Sequence, residues 1–460
     1  MTSNENIEKF KEEIGLGSMS KTFQDAIHVA RRLGIEYIWI DSLCIVQDDK
    51  TDWLQESEQM GNIYANAYVT IAATWAADGN DGLDSIRPPC QWFKVPFDGN
   101  DEKKGYTWFT DGTWTSETDL DDAPLNTRGW VFQEKTLSRR IVHYAASQVY
   151  WECKQRFVGE EGEREILHKG ALLEPSRFWT SVNGVSHIGA IPLERENDAR
   201  DKKDSGFQLR EFYGRWRTFL RYYCTRDFTK ESDRLIALLG IIRVVERQTG
   251  LRCVDGHWDD GSWKFVRELM WFPKEQGRLS VLDDGRKARL CSSWSWASLE
   301  GPKHPELTGH DVDTWQDYRL KDCNLHLEAI EDEVQIPWPC HPLKVSGVLK
   351  TFHKCEPEGI RGQNETQRRR NFVIKAELSG LADGWVCFDR DDEEPEEFHF
   401  CPVYVRNWRI ACLALVQRHE PEGRDRCFER VGAGYICPSG SEHDSMESFE
   451  NCERSTFHII

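Results

Sequence analysis

The chain has no run of about twenty apolar residues, the length a helix needs to cross a bilayer. Its most apolar window, residues 63–77, is broken by Asn66, so no membrane anchor is expected. The opening MTSNENIEKFKEEIGLG is acidic and lacks the basic and apolar blocks of a secretory signal, which places the expected location in the cytoplasm. Positive charge is scarce as well. Against 78 Asp plus Glu stand 59 Lys plus Arg, a formal charge of -19, and no basic face interleaves with aromatics, so nucleic acid is not an expected partner.

Motifs that would carry chemistry by themselves are also missing. There is no Walker A loop, no CxxC pair, no HExxH and no histidine spacing suited to a metal, so no metal site is expected. Gly15-Leu-Gly17 has half of a dinucleotide fingerprint without a preceding strand or third glycine, and reads as a turn. Residues 184–189, GVSHIG, miss the hydrolase elbow G-x-S-x-G and lack its leading strand, leaving Ser186 a weak nucleophile candidate. Asn364-Glu-Thr366 matches a glycosylation acceptor that is idle in the cytosol. Fifteen cysteines, scattered without secretory context, read as reduced thiols.

What is present is a folded composition, with 19 Trp and 39% hydrophobic residues in 460. The length suggests more than one domain, and three segments are expected: an α/β domain over 1–155, a mainly helical region over 156–285 and a β-rich region over 286–460. The first is organised around residues 34–48, GIEYIWIDSLCIVQD. Residues 35–40 read as a strand apolar on both faces and buried between layers. Asp41 then stands at its carboxyl end, followed by Cys44, Gln47, Asp48 and Asp49, where open α/β sheets place ligands. The alternative is a capping acid in a structural turn.

Before that strand, Thr22 and Asp25 have the form of a capping box, and Phe23, Ala26, Ile27, Ala30 and Leu33 recur at helical spacing until Gly34. After it, Asp52 is placed to cap a helix whose shared face carries Trp53, Met60, Ile63, Tyr64 and Ala67, with Glu56 among them. Glu56 is either a helix-dipole partner or a carboxylate tuned for chemistry. YVTIAAT over 68–74 reads as a strand, residues 78–122 as an excursion from the sheet, RGWVFQEKTLSRR as a short helix and IVHYAASQVYWEC as strand, turn and strand. Arg128, Gln133 and Glu134 beside Trp130 and Phe132 form a binding edge or a satisfied buried network. Trp130 is expected to anchor this core, and Arg128 to pair at least partly with Glu134.

Downstream, residues 159–203 read as a linker. Phe212, Trp216, Phe219, Leu220 and Tyr223 make one amphipathic face, and DRLIALLGIIRVV is apolar nearly all round. Trp263, Val266, Leu269 and Met270 repeat the helical pattern, and beyond Cys291 short alternating runs such as VSGVLKTF, FVIKAEL, WRIACLALV and FERVGAGYI read as strands. The acidic run 391–397 reads as a solvated loop.

TFQDAIHVARRLGIEYIWIDSLCIVQDDKTDWLQESEQMGNIYANAYVTIAAT, together with RGWVFQEKTLSRRIVHY, closely resembles the fungal heterokaryon incompatibility (HET) domain family over residues 20–153. SDRLIALLGI, WSWASLEGP and FERVGAG resemble regions that accompany it. The resemblance implies non-self recognition and cell death, through other incompatibility proteins or self-associating signalling proteins, on a TIR-like parallel sheet flanked by helices. It names no cofactor. An enzyme of the TIR-like kind would take NAD as its substrate, with Glu56 as catalytic carboxylate and Asp41 and Gln47 holding ribose or amide groups. The family's usual opening strand, of the type Leu-Ser-Tyr-x-Trp-Gly, has no counterpart in residues 1–21, so the resemblance implies a truncated domain, open to poor folding or to loss of the NAD-cleaving activity.

Overall fold

The computed structural model describes residues 1–85, 92–98, 104–110, 119–120, 122–153, 156–160, 212–213, 215–217, 219–220, 222–259, 265–273, 279–281, 287–299, 305–307, 317–319, 324–327, 342–353, 371–374, 384–390, 395–406, 409–418, 426–436, 449 and 452–460. Ser186, Asn364, Trp263 and the linker over 161–203 lie outside them. The chain divides into two compact units, Met1–Gly184 with Ala237–Ile241, and Val185–Ile236 with Ile242–Ile460. Among the described residues no helix is long and apolar enough to cross a membrane, and every cysteine is a free thiol.

The first unit runs α1 (Ile7–Glu12), α2 (Lys21–Arg32), α3 (Asp41–Cys44), α4 (Lys50–Asn66), β1 (Thr70–Ala72), a hairpin of β2 (Trp92–Asp98) and β3 (Lys104–Thr110), α5 (Pro124–Thr127), α6 (Gly129–Leu137), β4 (Arg140–Tyr144), β5 (Val149–Cys153) and β6 (Phe157–Gly159). Its sheet has the order β1-β4-β5-β6. β1 and β4 are parallel, Ala72 opposite His143, whereas β4–β5 and β5–β6 are antiparallel. The α/β class therefore holds, with a mixed sheet in place of the expected parallel one. The cause is local: residues 145–148 are too few for a crossover, so β5 must return antiparallel to β4.

The expected strand over residues 35–40 is not formed. Gly34 turns the chain out of α2 at φ 69°, a conformation that glycine adopts without steric cost. The chain then runs to Ile40 without joining a sheet, and among the described residues the amides of 36–40 make no backbone hydrogen bond. Tyr37 is 86% exposed and Ile38 38%, so the segment is not buried between layers. An apolar run becomes a buried strand only if neighbours supply both the ladder and the cover, and neither is present here.

Two helix starts also differ from expectation. α2 has Ser20 at its N-cap with no side-chain cap, and Asp25 instead pairs with Lys21 and accepts the Leu83 amide at 3.1 Å. α4 is capped by Asp49, which accepts the amides of Thr51 at 2.8 Å and Asp52 at 3.2 Å; Asp52 turns back to accept the Val46 amide at 2.7 Å. A carboxylate at the N-cap reaches amides two and three residues on, and Asp49 holds that position.

α4 and α6 pack together, and Ala237–Ile241 belongs to the same unit. The contact is backbone on backbone. A Cβ added to Gly61 of α4 would lie 2.8 Å from the Gly240 Cα, and one added to Gly240 would lie 2.8 Å from the Gln133 Oε1.

In the second unit Phe212, Trp216, Phe219, Leu220 and Tyr223 are all buried, as their spacing predicts. The Trp216 ring stacks on Phe219 at 4.9 Å and meets Trp258 edge-on at 5.1 Å. The sequence DRLIALLGIIRVV forms the helices Asp233–Ile236 and, running across the unit boundary, Leu239–Thr249. Leu269 and Met270 are buried, but their helix is only Phe265–Glu268 and a strand, Trp271–Pro273, follows. The alternating runs beyond Cys291 build a ten-stranded sheet that includes Leu343–Val348, Glu397–Arg406, Arg409–Arg418 and Cys427–Ile436. Of the acidic run, 391–394 lie outside the described residues, and Glu397 starts a strand.

Candidate functional site

Where the extended segment ends, Ile40 keeps a strand-like backbone and accepts the amides of Leu43 at 3.0 Å and Cys44 at 2.8 Å, which closes α3 as a single turn. Asp41 thus opens a helical turn, and its Oδ1 accepts the Ser42 amide at 2.7 Å. α4 follows at once and brings Glu56 and Tyr64 towards it. α6 contributes Glu134, and Arg128 stands at the α6 N-cap.

These groups act on one another electrically. Glu134 is half-buried, and its carboxyl is raised to about 7, first by burial and then by the charge of Asp41. Hydrogen bonding from the Tyr64 hydroxyl and the charge of Arg128 oppose that rise. Tyr64 is itself pushed well above the usual phenol range, by burial first and then by Glu134 and Asp41. Cys44 is exposed, yet partial enclosure of its thiol still raises it, helped by Glu56 and Asp41 against a hydrogen bond with the Ile40 backbone. Two carboxylates near one half-buried phenol, with one guanidinium nearby, cannot all ionise cheaply, so one keeps its proton towards neutral pH. Aromatic rings flank the group: Trp39 meets Tyr64 edge-on at 5.8 Å, and Trp53 meets Trp130 edge-on at 6.1 Å.

Asp41, Cys44, Glu56, Arg128 and Glu134, five of the residues singled out in the sequence, therefore share one cluster. The others are placed differently. Gln47 donates to the backbone carbonyls of Ile45 at 3.1 Å and Asp41 at 3.3 Å, and so ties the turn together. Asp48 accepts the Asn4 amide at 2.8 Å, beside a segment in which Thr2 donates to Leu43 and Ser42 and accepts from Gln47. Gln133 is fully buried, and its Oε1 accepts the Gly240 amide at 2.7 Å, while its Nε2 finds no acceptor among the described residues. It is a packing residue. Trp130 is half-buried rather than the fully enclosed anchor expected.

Residues 2–134 match the family model of the heterokaryon incompatibility protein (HET). The chain carries a HET domain. The match takes in every residue singled out above, Glu134 being its last, and it begins upstream of the boundary at residue 20 read from the motifs. No curated protein and no solved structure matches the chain.

Around this HET domain the sequence reading missed three groups. Tyr64 was assigned to the apolar face of α4, although its hydroxyl belongs to the cluster. His143 and Glu152 were not singled out at all. They sit on the buried face of β4 and β5, where His143 Nε2 lies 2.9 Å from Glu152 Oε2 and Nδ1 lies 3.3 Å from the Thr74 hydroxyl. Burial lowers the His143 pKa, with Glu152 opposing, which favours the neutral ring. The alternation eBiBi along β4 holds the signal, since His143 shares its face with buried Ile141.

Proposed function

We propose that the protein acts in fungal non-self recognition and drives cell death through its HET domain, in the cytoplasm, by associating with other incompatibility proteins or with self-associating signalling proteins. The family match over residues 2–134 carries this reading. A mixed sheet with one parallel pair is compatible with a TIR-like fold of the domain and is its only structural support. The test is inducible expression of the whole chain in a fungal host. Growth arrest is expected, and a variant in which Gly240→Val breaks the contact with Gly61 should restore growth; growth equal to the empty vector from the unmodified chain would remove the death-effector reading.

A second reading has one observation in its favour, the carboxyl of Glu134 raised to about 7 beside Asp41 and Tyr64. A group with that pKa can give and take a proton at neutral pH. In this reading the domain hydrolyses NAD: water adds to the ribosyl carbon as nicotinamide leaves, Asp41 and Glu56 stabilise the positive charge that develops, and Glu134 handles the proton in place of the Glu56 role expected from sequence. Nicotinamide release by the purified chain, lost in Glu134→Gln and lowered but not abolished in Glu56→Gln, is the expected pattern. No release above the blank would dispose of it.

A further inference from the structure

Ala237–Ile241 belongs to the first unit, although the residues on either side, Val185–Ile236 and Ile242–Ile460, form the second. The segment meets α4 and α6. Ser57 and Gly61 lie one turn apart among the buried residues of α4, and Gln133 and Leu137 one turn apart among those of α6. The Ser57 hydroxyl donates back to the Trp53 carbonyl at 2.6 Å, so its proton is used within α4. Two features of the segment are matched there. A Cβ on Gly240 would come within 2.8 Å of the Gly61 Cα, and one on Gly61 within 2.8 Å of the Gly240 Cα and 3.2 Å of the Leu137 Cδ1. The φ of Gly240 lies outside the left-handed range, so space and not backbone conformation calls for glycine at this position. The Gly240 amide stands in the first turn of Leu239–Thr249, where a helix leaves its amides without an internal partner, and it donates to Gln133 Oε1 at 2.7 Å.

We propose that the face shared by α4 and α6 is a docking site for the segment Ala237–Ile241, and that it takes this segment from a second copy of the chain as well as from its own. The inference stands apart from what the domain signals or cleaves. A face that selects by a missing side chain and by one backbone amide does not distinguish which copy supplies them, and exchange of an identical element keeps every contact. The topology leaves exchange open. Both flanks of the segment belong to the second unit, so handing it to another copy disturbs none of the strand pairs in the β1-β4-β5-β6 sheet. The chain's own segment competes at an effective concentration set by its tether, on the order of millimolar for a short flexible one. The exchanged form therefore prevails where copies are held close together or where pairing within one copy is broken.

Two full-length variants test this. Gly61→Val spoils the docking face and Gly240→Val spoils the segment, so neither chain pairs with itself or with its like. Together they keep one intact face and one intact segment, on different copies. Co-expressed with different tags, they should give a 1:1 dimer in analytical ultracentrifugation, on the order of tenfold more than either variant gives alone. Equal dimer content in the mixed and the single-variant samples would overturn the proposal. Should the variants not fold, two differently tagged copies of the unmodified chain are used instead. Mixed dimers are expected when the two are unfolded and refolded together at high concentration, and not when the folded proteins are mixed. Tags that stay apart after joint refolding, or that pair equally on mixing the folded proteins, are just as fatal to the exchange.

Discussion

The two units deal with buried charge in opposite ways. In the second, Arg430 and Asp389 are enclosed, and four guanidinium hydrogen bonds hold the pair. The guanidinium donates to the two carboxylate oxygens at 3.0 and 3.2 Å, to the Trp271 carbonyl at 2.7 Å and to the Leu269 carbonyl, and it lies 3.8 Å from the centre of the Trp271 ring. In the first, Glu134 and Tyr64 are half-buried and feel one exposed Arg128, and burial, with the charge of the exposed Asp41 added to it, raises the Glu134 carboxyl to about 7. A charge with matched donors and acceptors fixes a fold and does little else, whereas an unmatched one keeps an equilibrium open. His143 and Glu152 show that the first unit can also satisfy a buried pair, so the imbalance belongs to the cluster and not to the unit as a whole.

The largest effect is expected where compensation is most complete. Asp389→Ala leaves the Arg430 charge enclosed without its partner and should destabilise the second unit by about 3–5 kcal/mol in denaturant unfolding, while Asp389→Ala with Arg430→Met should recover much of the loss. A single substitution costing under about 1 kcal/mol would mean that the pair is not the enclosed, matched charge described, and the contrast between the units would fail. In the first unit the strictest demand is steric rather than electrical. Gly240→Ala drives a methyl group against Gln133 and Gly61, and overpacking of this kind should cost about 1–3 kcal/mol, read as a lower midpoint for the first unit. Trp130→Ala should cost less, about 1–2 kcal/mol, because the ring is only half-buried against Trp53. Removing the α4 cap with Asp49→Ala should cost about 1 kcal/mol, while Asp52→Ala loses a single hydrogen bond to Val46 and should cost less. The reverse order would return the cap to Asp52.

Much of this was legible in the residues. The helical spacing ending at Gly34 marks α2, the run after Arg128 gives α6, and the β-branched run over 68–74 contains β1. Alternation beyond Cys291 picks out the strands of the large sheet, and the buried face from Phe212 to Tyr223 is where its spacing puts it. Asp41 and Cys44 stand out at the end of an apolar run, Glu56 as an acid on an apolar helix face, and Arg128 and Glu134 as polar groups beside Trp130 and Phe132.

Local pattern goes this far because side-chain periodicity records which face of an element is apolar, and that is written within a few residues. It could not say that residues 35–40 have no ladder, because a strand is made by a neighbour distant in the sequence and the same apolar run is consistent with either outcome. Nor could it pair Gly61 with Gly240, choose Asp49 over Asp52 as the cap, or mark Glu134 as a carboxyl of raised proton affinity. A carboxyl's proton affinity is set by desolvation and by charges brought close in space, here from α3, α4 and the start of α6. The residue types and their faces were determined by the sequence itself, and which of them share a dielectric environment was decided only when the chain folded.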